Sequence, residues 1–305
     1  GDTHGRRPQH VFFTWGDPRY AFDTEAFNCE KSLLVSGFTY GAAPSGKPQQ
    51  TEELRARLKA AGARFTVALF DNSFGDFHIT RAMTVRFYRA FLRWLLEHEE
   101  AGLVIKPKKP KLFAELQEIQ GLLGQAKATG RCVELSGALG KFPVDAAGCA
   151  DVSVGIFLST AVIEAAVCGY RGVHCDLSRL HRHPFYRWGQ GKVVFDDEHK
   201  LIEAITQHML DPSRAPDLGD HAPVLNELDP FRDGQAGRRV GEYMKWLLDA
   251  FDAGMGRDGA IAFANERYVG AWGADKMIRL VDRQVGGEGG RAQGRFERSA
   301  AGECG

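Results

Sequence analysis

Glu164 is the residue of this sequence whose surroundings most need a chemical explanation. It stands alone in an otherwise apolar stretch, residues 161–167, whose pattern predicts a helix buried on more than one face. A carboxylate in such a helix is unfavourable unless another group donates hydrogen bonds to it. A capping box would need Ser or Thr three residues earlier, and that position is Ala161. Two explanations therefore stay open: a buried ion pair, or a bound ligand that donates hydroxyl groups.

Ser159 and Thr160 immediately precede this helix and carry hydroxyl side chains of the kind that cap helix N-termini. The amide groups and the dipole at the N-terminus of a helix attract anions such as phosphate. A ligand that suits both features carries hydroxyl donors for Glu164 and an anion for the helix end. The ribose and phosphates of a nucleotide meet both requirements.

The helix belongs to a predicted strand–helix–strand unit. Residues 151–156 are short, β-branched and bounded by polar residues or glycine, as in a buried strand. Gly169 ends the helix, and residues 172–176 form the next strand. A unit of this length implies two parallel strands joined by a right-handed crossover. Ligands of such sheets bind at the carboxyl ends of the strands. Four residues fall there: Gly155, Ser159, Thr160 and Asp176.

The spacing GxxxSTxxxEAxxxGxxxxxxD, from Gly155 to Asp176, resembles the donor-domain signature of GT-B-type glycosyltransferases. The resemblance is to enzymes that build bacterial surface polysaccharides, and it extends over residues 11–278. It implies that Glu164 holds the ribose of the donor and that the Ser159–Thr160 turn approaches the phosphates. It also implies a nucleotide sugar as donor substrate, a saccharide or lipid-linked glycan as acceptor, and neither a cofactor nor a metal ion.

A lysine-rich segment follows the predicted strand at residues 102–105. Four lysines lie within residues 106–111, and such a run is usually a solvated surface. Lys106, however, ends a strand on the ligand side of the sheet, and Pro107 fixes the direction of the turn. Surface-polysaccharide transferases carry KPH or KPK at this place, which implies that Lys106 or Lys108 pairs with the donor phosphate.

The dipeptide His183–Pro184 resembles the His-Pro motif of transferases that use CMP-activated acidic sugars. It adds His183 to the predicted donor-binding residues and leaves the nucleotide open between CMP and UDP or GDP. His174, Asp176, His181 and His183 do not have the spacing of metal ligands, so no metal site is predicted.

The predicted fold class is α/β, with a Rossmann-like, doubly wound parallel sheet of the GT-B donor-domain type and a C-terminal helical extension. Four regions are expected: residues 1–50, 51–212, 213–285 and 286–305. The first is a remnant of an N-terminal, acceptor-side domain with a linker. The second is the nucleotide-sugar-binding domain. The third holds amphipathic helices at residues 240–251 and 260–281. The fourth is a disordered tail rich in Gly, Arg, Glu and Ser.

About 60 residues precede Gly62, whereas a complete acceptor-side domain needs on the order of 100–200 residues. We therefore expect this chain to bind a nucleotide without turnover unless a further N-terminal domain or a partner chain completes the cleft. This domain organisation is the one expected of a glycosyltransferase's donor-binding half.

The composition excludes several other classes of protein. The chain has 39 basic and 39 acidic side chains, so its charge does not suggest a nucleic-acid partner. Its six cysteines include no CxxC pair, and Cys132, Cys168 and Cys175 lie in or beside apolar runs, which favours reduced core thiols and a cytoplasmic location, including the inner face of the membrane. No apolar run is long enough to cross a bilayer, so membrane association is expected to be peripheral at most.

Three alternative functions stay open at this point. A sugar-nucleotide epimerase shares the fold, and a non-catalytic nucleotide-sugar-binding module fits the short N-terminal region. The third alternative rests on GDTHGR at residues 1–6, which resembles the first metal-binding motif of metallophosphoesterases. That family also needs GNHE and GHxH blocks, and neither occurs in the sequence. Sugar transfer from a nucleotide donor during surface-polysaccharide synthesis is the favoured function.

Overall fold

The computed structural model describes residues 10–16, 31–38, 49–75, 79–135, 142–179, 181 and 184–280. The chain divides into two compact units. The central unit is Ala43–Leu225, and the terminal unit combines Gly1–Ala42 with Asn226–Gly305.

Nine strands lie within the described residues: β1 (Val11–Thr14), β2 (Lys31–Val35), β3 (Phe65–Phe70), β4 (Ala101–Lys106), β5 (Cys132–Glu134), β6 (Val152–Ile156), β7 (Gly172–Cys175), β8 (Val194–Phe195) and β9 (Met277–Leu280). The helices of the central unit are α1 (Gln49–Ala60), α2 (Arg81–Glu97), α3 (Pro110–Ala114), α4 (Gln117–Ala128), α5 (Pro143–Gly148), α6 (Thr160–Val167), α7 (Pro184–Gly189) and α8 (Glu198–Leu210). The short helix α9 (Leu225–Leu228) falls at the boundary in sequence, and α10 (Ala236–Asp252) and α11 (Arg257–Trp272) belong to the terminal unit.

The central unit is built on a six-stranded sheet in the order β5-β4-β3-β6-β7-β8. Every neighbouring pair in it is parallel. The chain first winds outward from β3 through β4 to β5, then returns to β6 on the other side of β3 and winds outward again. The order of the strands therefore reverses between β3 and β6, where doubly wound sheets have a crevice at their carboxyl ends.

Both faces of this sheet are covered by helices. All six residues of β3, FTVALF, are buried, as expected for a central parallel strand. Val67 and Leu69 pack into one core with residues of α2, α4 and α8. Ala68 and Phe70 point to the opposite face and pack with residues of α1, α5 and α6. The predicted α/β, Rossmann-like doubly wound fold is thus confirmed.

The terminal unit has a three-stranded sheet in the order β1-β2-β9. Strands β1 and β2 are parallel, and β9 is antiparallel to β2. Leu34 of β2 packs with Tyr243 of α10 and with Ala264 and Tyr268 of α11. The Tyr268 hydroxyl of this core is hydrogen-bonded, since it donates to the carbonyl of Val35 at 2.7 Å. The expected C-terminal helical extension therefore packs on strands from the N-terminal part of the chain.

Several predicted elements have different limits in the structure. The helix predicted over residues 260–281 ends at Trp272, because Gly273 adopts φ +106° and turns the chain into β9. The sequence pattern of residues 113–128 predicts one helix, but the structure has α3 and α4 there, because Leu116 leaves the helical conformation and is fully buried in the core. The polar and aromatic composition of residues 177–191 predicts a loop, and the structure places α7 in this segment. The burial of Leu116 in the core and the pairing of β9 with β2 both depend on residues that are distant in sequence.

Among the described residues, none of the helices has both the length and the apolar character required to cross a bilayer.

Candidate functional site

The turn between β6 and α6 lies at the carboxyl edge of the central sheet. Gly155 makes its tight geometry feasible, because a Cβ atom there would lie 2.5 Å from the Cβ of Ser159 and 2.7 Å from Cγ2 of Val162. The absence of a side chain lets the start of α6 approach the strand closely. Phe157 in the turn has φ +59°, a conformation that non-glycine residues adopt mainly where surrounding structure imposes it.

Ser159 and Thr160, both predicted to face the phosphates, differ in their surroundings. Ser159 is buried, its backbone N–H donates to Nδ1 of His174 at 3.1 Å, and its Oγ accepts from the N–H of Ala161 at 3.3 Å. Ser159 therefore uses its polar groups to hold the turn. Thr160 is exposed, and neither its amide nor its hydroxyl has a hydrogen-bond partner within the described part of the chain. Thr160 is thus the residue of the pair that offers donors at the helix N-terminus.

Glu164 lies one turn further along α6 and is only 6% exposed. Its Oε1 accepts a long hydrogen bond of 3.4 Å from the N–H of Val144, and no second hydrogen bond reaches the carboxylate from the described residues. Burial raises the pKa of Glu164, and the nearby charge of Asp145 raises it further, while Lys106 lowers it. A buried carboxylate with most of its acceptor capacity unused fits a ligand that brings hydroxyl donors.

Lys106 is the last residue of β4, and Lys108 lies two residues further along the chain. The two side chains differ in their contacts. The Lys108 ammonium donates to Oδ1 of Asn72 at 2.7 Å, and its backbone N–H donates to Oδ1 of Asp71 at 2.5 Å. Lys106 is half-buried, and its charge lowers the pKa values of both Glu164 and Asp71. Among the described residues its ammonium makes neither a hydrogen bond nor an ion pair of 4 Å or less. Lys106 is therefore a cation between two carboxylates, available to an anionic ligand.

Asp71 follows β3 directly and completes this cluster. Burial raises its pKa even though the N–H of Lys108 and the two lysine charges act in the opposite direction. The hydroxyl of Tyr88, on α2, is fully buried near the Asp71 carboxylate, and burial together with that charge puts the pKa of Tyr88 well above its usual value. The Tyr88 hydroxyl makes no hydrogen bond of regular geometry with the described residues.

Asp176, at the end of β7, is also fully buried, but its carboxylate is satisfied within the protein. Oδ1 accepts from the N–H and the hydroxyl of Ser178, at 3.1 and 2.5 Å, and Oδ2 accepts from the hydroxyl of Tyr186 at 2.6 Å. Burial, followed by this hydrogen bond, raises the pKa of Tyr186. Asp176 therefore stabilises the loop after β7 and has little capacity left for a ligand.

The charge of Lys106 acts on Glu164, and Thr160 lies one turn before Glu164 in α6, whereas Lys108 is tied to the neighbouring loop and Gly155 lies beneath the turn. His183 lies outside the described residues. Within those residues, no three His, Cys, Asp or Glu side chains are close enough to hold a metal ion. Asn72 and Val144 contact these residues as well, and neither is among the predicted donor-binding residues. A polar loop directly after β3 was the available signal for Asn72, whereas nothing local marks Val144.

A wide depression of about 1150 Å³ lies at the opposite, amino edge of the same sheet. Its charged residues alternate in sign from strand to strand, in the order Arg131, Glu100, Arg64, Asp151 and Arg171. This alternation leaves no concentrated charge for an anionic ligand. Because ligands of doubly wound sheets bind at the carboxyl edge, the candidate site is the cluster around Glu164 and Lys106.

Comparison with known proteins gave matches among solved structures alone. No family model matches this chain. No curated protein matches it either. The sucrose-phosphate synthase from Thermosynechococcus elongatus is 14% identical with a TM-score of 0.48, over 79% of this chain and 59% of that one. The S. aureus MnaA-UDP co-structure is 15% identical with a TM-score of 0.47, over 71% of this chain and 54% of that one.

The C-terminal domain of a glycosyl transferase group 1 family protein (LpcC) from Francisella tularensis is 10% identical, with a TM-score of 0.40. That match covers 68% of this chain and 98% of that domain. By contrast, this chain spans between 54% and 59% of the length of the two larger structures named above. At these identities and TM-scores the likenesses assign no activity, and the fold class rests on the strand order itself.

Proposed function

We propose that this chain binds a nucleotide sugar at the carboxyl edge of its central sheet and serves as a glycosyltransferase, or as the donor-binding half of one. The observation that carries the proposal is the Glu164 carboxylate, buried yet almost without hydrogen bonds, beside an ammonium group and a helix N-terminus. Ribose hydroxyls would satisfy Glu164, and donor phosphates would lie between Lys106 and the start of α6. The acceptor would be a saccharide or lipid-linked glycan in surface-polysaccharide synthesis.

The chemistry expected of these residues is positioning and electrostatic stabilisation. When a sugar leaves its nucleotide, negative charge develops on the departing phosphate. The Lys106 ammonium and the N–H groups at the start of α6 are fixed donors near that charge, and such donors lower the barrier to departure. The group that would activate the acceptor is not among the residues of this site.

The location we infer is cytoplasmic, with membrane association that is peripheral at most. The four cysteines within the described residues are unpaired, and three of them are buried. Burial raises the pKa of Cys132 to about 12, so that thiol stays protonated and unreactive. Reduced, structural cysteines suit a compartment in which nucleotide sugars are made and used.

The proposal is tested by measuring the affinities of UDP, GDP, CDP and CMP calorimetrically. We expect at least one nucleotide to bind, and Lys106→Ala to weaken a nucleoside diphosphate about tenfold through loss of a charge-assisted hydrogen bond. Lys111→Ala is the matched control, since Lys111 is an exposed lysine of the same segment. If none of the nucleotides binds, or if both substitutions change the affinity equally, the assignment of the nucleotide site is wrong.

Two further measurements separate the donor classes and the alternative functions. Preferred binding of CMP that His183→Ala abolishes and Lys106→Ala spares would favour an acidic-sugar donor. Preferred binding of UDP with sensitivity to Lys106→Ala would favour a diphosphate donor. Product analysis with and without a glycan acceptor then distinguishes transfer from epimerisation, and binding without either product indicates a donor-binding half.

A further inference from the structure

The lysine segment after β4 is attached to the loop after β3 by two side chains of that loop. Oδ1 of Asp71 accepts from the backbone N–H of Lys108 at 2.5 Å. Oδ1 of Asn72 accepts from the Lys108 ammonium at 2.7 Å and from the N–H of Ser73 at 3.0 Å. The first contact fixes the backbone of the turn, whereas the second holds one side chain.

We propose that Asp71 is a positioning residue of the nucleotide site: by holding the Lys108 amide, it sets the direction in which Lys106 and Lys108 present their ammonium groups. The inference rests on the proposed function and names a residue on which the affinity for phosphate groups depends. Asp71 itself is not expected to contact the ligand.

Asp71 is well placed for this role. It directly follows β3, which lies between β4 and β6, so the same residue adjoins the lysine segment and the strand that leads to the Thr160 turn. Its carboxylate is packed near the buried Tyr88 hydroxyl of α2 and is therefore restricted in position. A lysine side chain is long and flexible, so fixing its backbone reduces the number of directions its ammonium samples.

A different role for Asp71 would be that of a resident counter-ion. The charges of Lys106 and Lys108 both act on its carboxylate. A counter-ion would compete with phosphate, and removing its charge would strengthen anion binding. A positioning residue acts through its acceptor oxygen, so an uncharged residue with the same oxygen should replace it. Asp71→Asn and Asp71→Ala therefore distinguish the two roles.

The test measures the affinities of inorganic pyrophosphate and UDP for the full chain by calorimetry. We expect Asp71→Ala to weaken both ligands about tenfold and Asp71→Asn to stay within about threefold of the unchanged protein, because Asn keeps the acceptor oxygen. Hydrogen exchange of the Lys108 amide should accelerate in Asp71→Ala and not in Asp71→Asn.

Asp151→Ala is the matched control for lost stability. Like Asp71, Asp151 accepts a hydrogen bond from a backbone amide, in this case the N–H of Thr66 at 2.8 Å. Thr66 lies near the start of β3, whereas Asp71 follows the end of that strand. This variant should lower the melting temperature and leave pyrophosphate affinity unchanged. If it weakens pyrophosphate as much as Asp71→Ala does, the effect is general destabilisation and the proposal is overturned.

The remaining outcomes are equally decisive. Tighter pyrophosphate binding in both Asp71 variants would identify a competing counter-ion, and equal weakening in both would identify a need for the charge; either result overturns positioning. Unchanged affinity in Asp71→Ala does the same. Pyrophosphate binding without nucleotide binding would contradict the proposed function alone, and the pyrophosphate series would still decide the role of Asp71. Absence of any anion binding would overturn both.

Discussion

Two carboxylates at the candidate site, those of Glu164 and Asp71, lie where burial disfavours their charged form. Glu164 and Asp71 both have pKa values raised by burial, and Lys106 lies close enough to act on both. A ligand that donates hydrogen bonds to Glu164 and charge-pairs with Lys106 would relieve this state. Residues of this kind often mark functional sites, and their substitution separates ligand binding from folding.

Glu164→Gln should weaken nucleotide binding by about 1–3 kcal/mol, the contribution of hydrogen bonds to a charged group. It should not destabilise the unliganded protein at pH 7. The pKa of Glu164 is raised above its ordinary value of 4.5, so the folded state holds its proton longer than the unfolded chain does. The charged side chain thus lowers stability as the pH rises above 4.5, and glutamine removes that loss.

Calorimetric titration and urea unfolding at pH 4 and pH 7 measure both effects. Exposed Glu97→Gln is the control and should change neither quantity. A variant that unfolds while its remaining folded fraction keeps full affinity would show that Glu164 is a structural residue.

His221 gives a second residue-scale prediction, concerning stability in acid. It is buried edge-on against the stacked rings of His174 and Phe185, and burial lowers its pKa from 6.5 to about 4. Between those pH values the unfolded chain binds a proton that the folded chain does not, so stability falls as the pH decreases. The loss should reach roughly 2 kcal/mol by pH 5.

We expect His221→Phe to reduce the difference in unfolding free energy between pH 7 and pH 5, measured by urea titration. Exposed His199→Gln should leave that difference as it is. The same difference in all three proteins would mean that His221 does not titrate as described.

At the scale of elements, the site depends on how closely α6 approaches the sheet. Gly155 of β6 and Gly172 of β7 both face Val162, and a Cβ atom at either position would lie 2.7 Å from one of its methyl groups. The helix is thereby placed with its N-terminus over the carboxyl ends of the strands. The two glycines thus determine where the donors of α6 lie.

Gly155→Ala should force α6 away from β6, at a cost of about 1–3 kcal/mol in unfolding free energy, and should weaken nucleotide binding. Gly121→Ala is the matched control, because Gly121 lies in α4 with no atom within 4 Å of an added Cβ. It should stabilise the protein by about 0.5–1 kcal/mol and leave affinity unchanged. Thermal unfolding and calorimetry measure these effects. If Gly155→Ala changes the unfolding free energy and the nucleotide affinity in the same way as Gly121→Ala, the close approach of α6 to β6 does not determine the site.

At the scale of the whole molecule, each hydrophobic core formed by the described residues lies within one unit. The two cores of the central sheet contain residues between Leu54 and Leu218. The principal core of the terminal unit joins β2 to α10 and α11. A fragment of residues 43–225 therefore retains all contacts of the central cores.

We expect this fragment to unfold cooperatively and to be stabilised by the same nucleotide as the full chain, by about 2.7 kcal/mol at a ligand concentration 100 times Kd. Circular dichroism during heating, with and without the nucleotide, is the measurement. A fragment that shows no cooperative transition would indicate that the central unit needs the terminal unit to fold. A folded fragment without ligand stabilisation would move the site elsewhere.

The sequence by itself determined the strand–helix–strand unit around Glu164. Buried strands, capping residues and apolar helices are local patterns, and β6, α6 and β7 lie where those patterns predict them, within a residue or two at their ends. The parallel order of the central sheet also follows, because strands alternating with helices have few arrangements.

The tertiary structure alone decided which side chains meet. Local sequence makes Ser159 and Thr160 equivalent, and the contact of Ser159 with His174 turns one inward and leaves the other exposed. The hydrogen bond from Lys108 to Asp71 joins residues 37 positions apart. Strand β9 lies in a segment whose local pattern predicts a helix. Its strand conformation depends on pairing with β2, which is more than 200 residues away in sequence. Such pairings depend on long-range packing, which no local pattern contains.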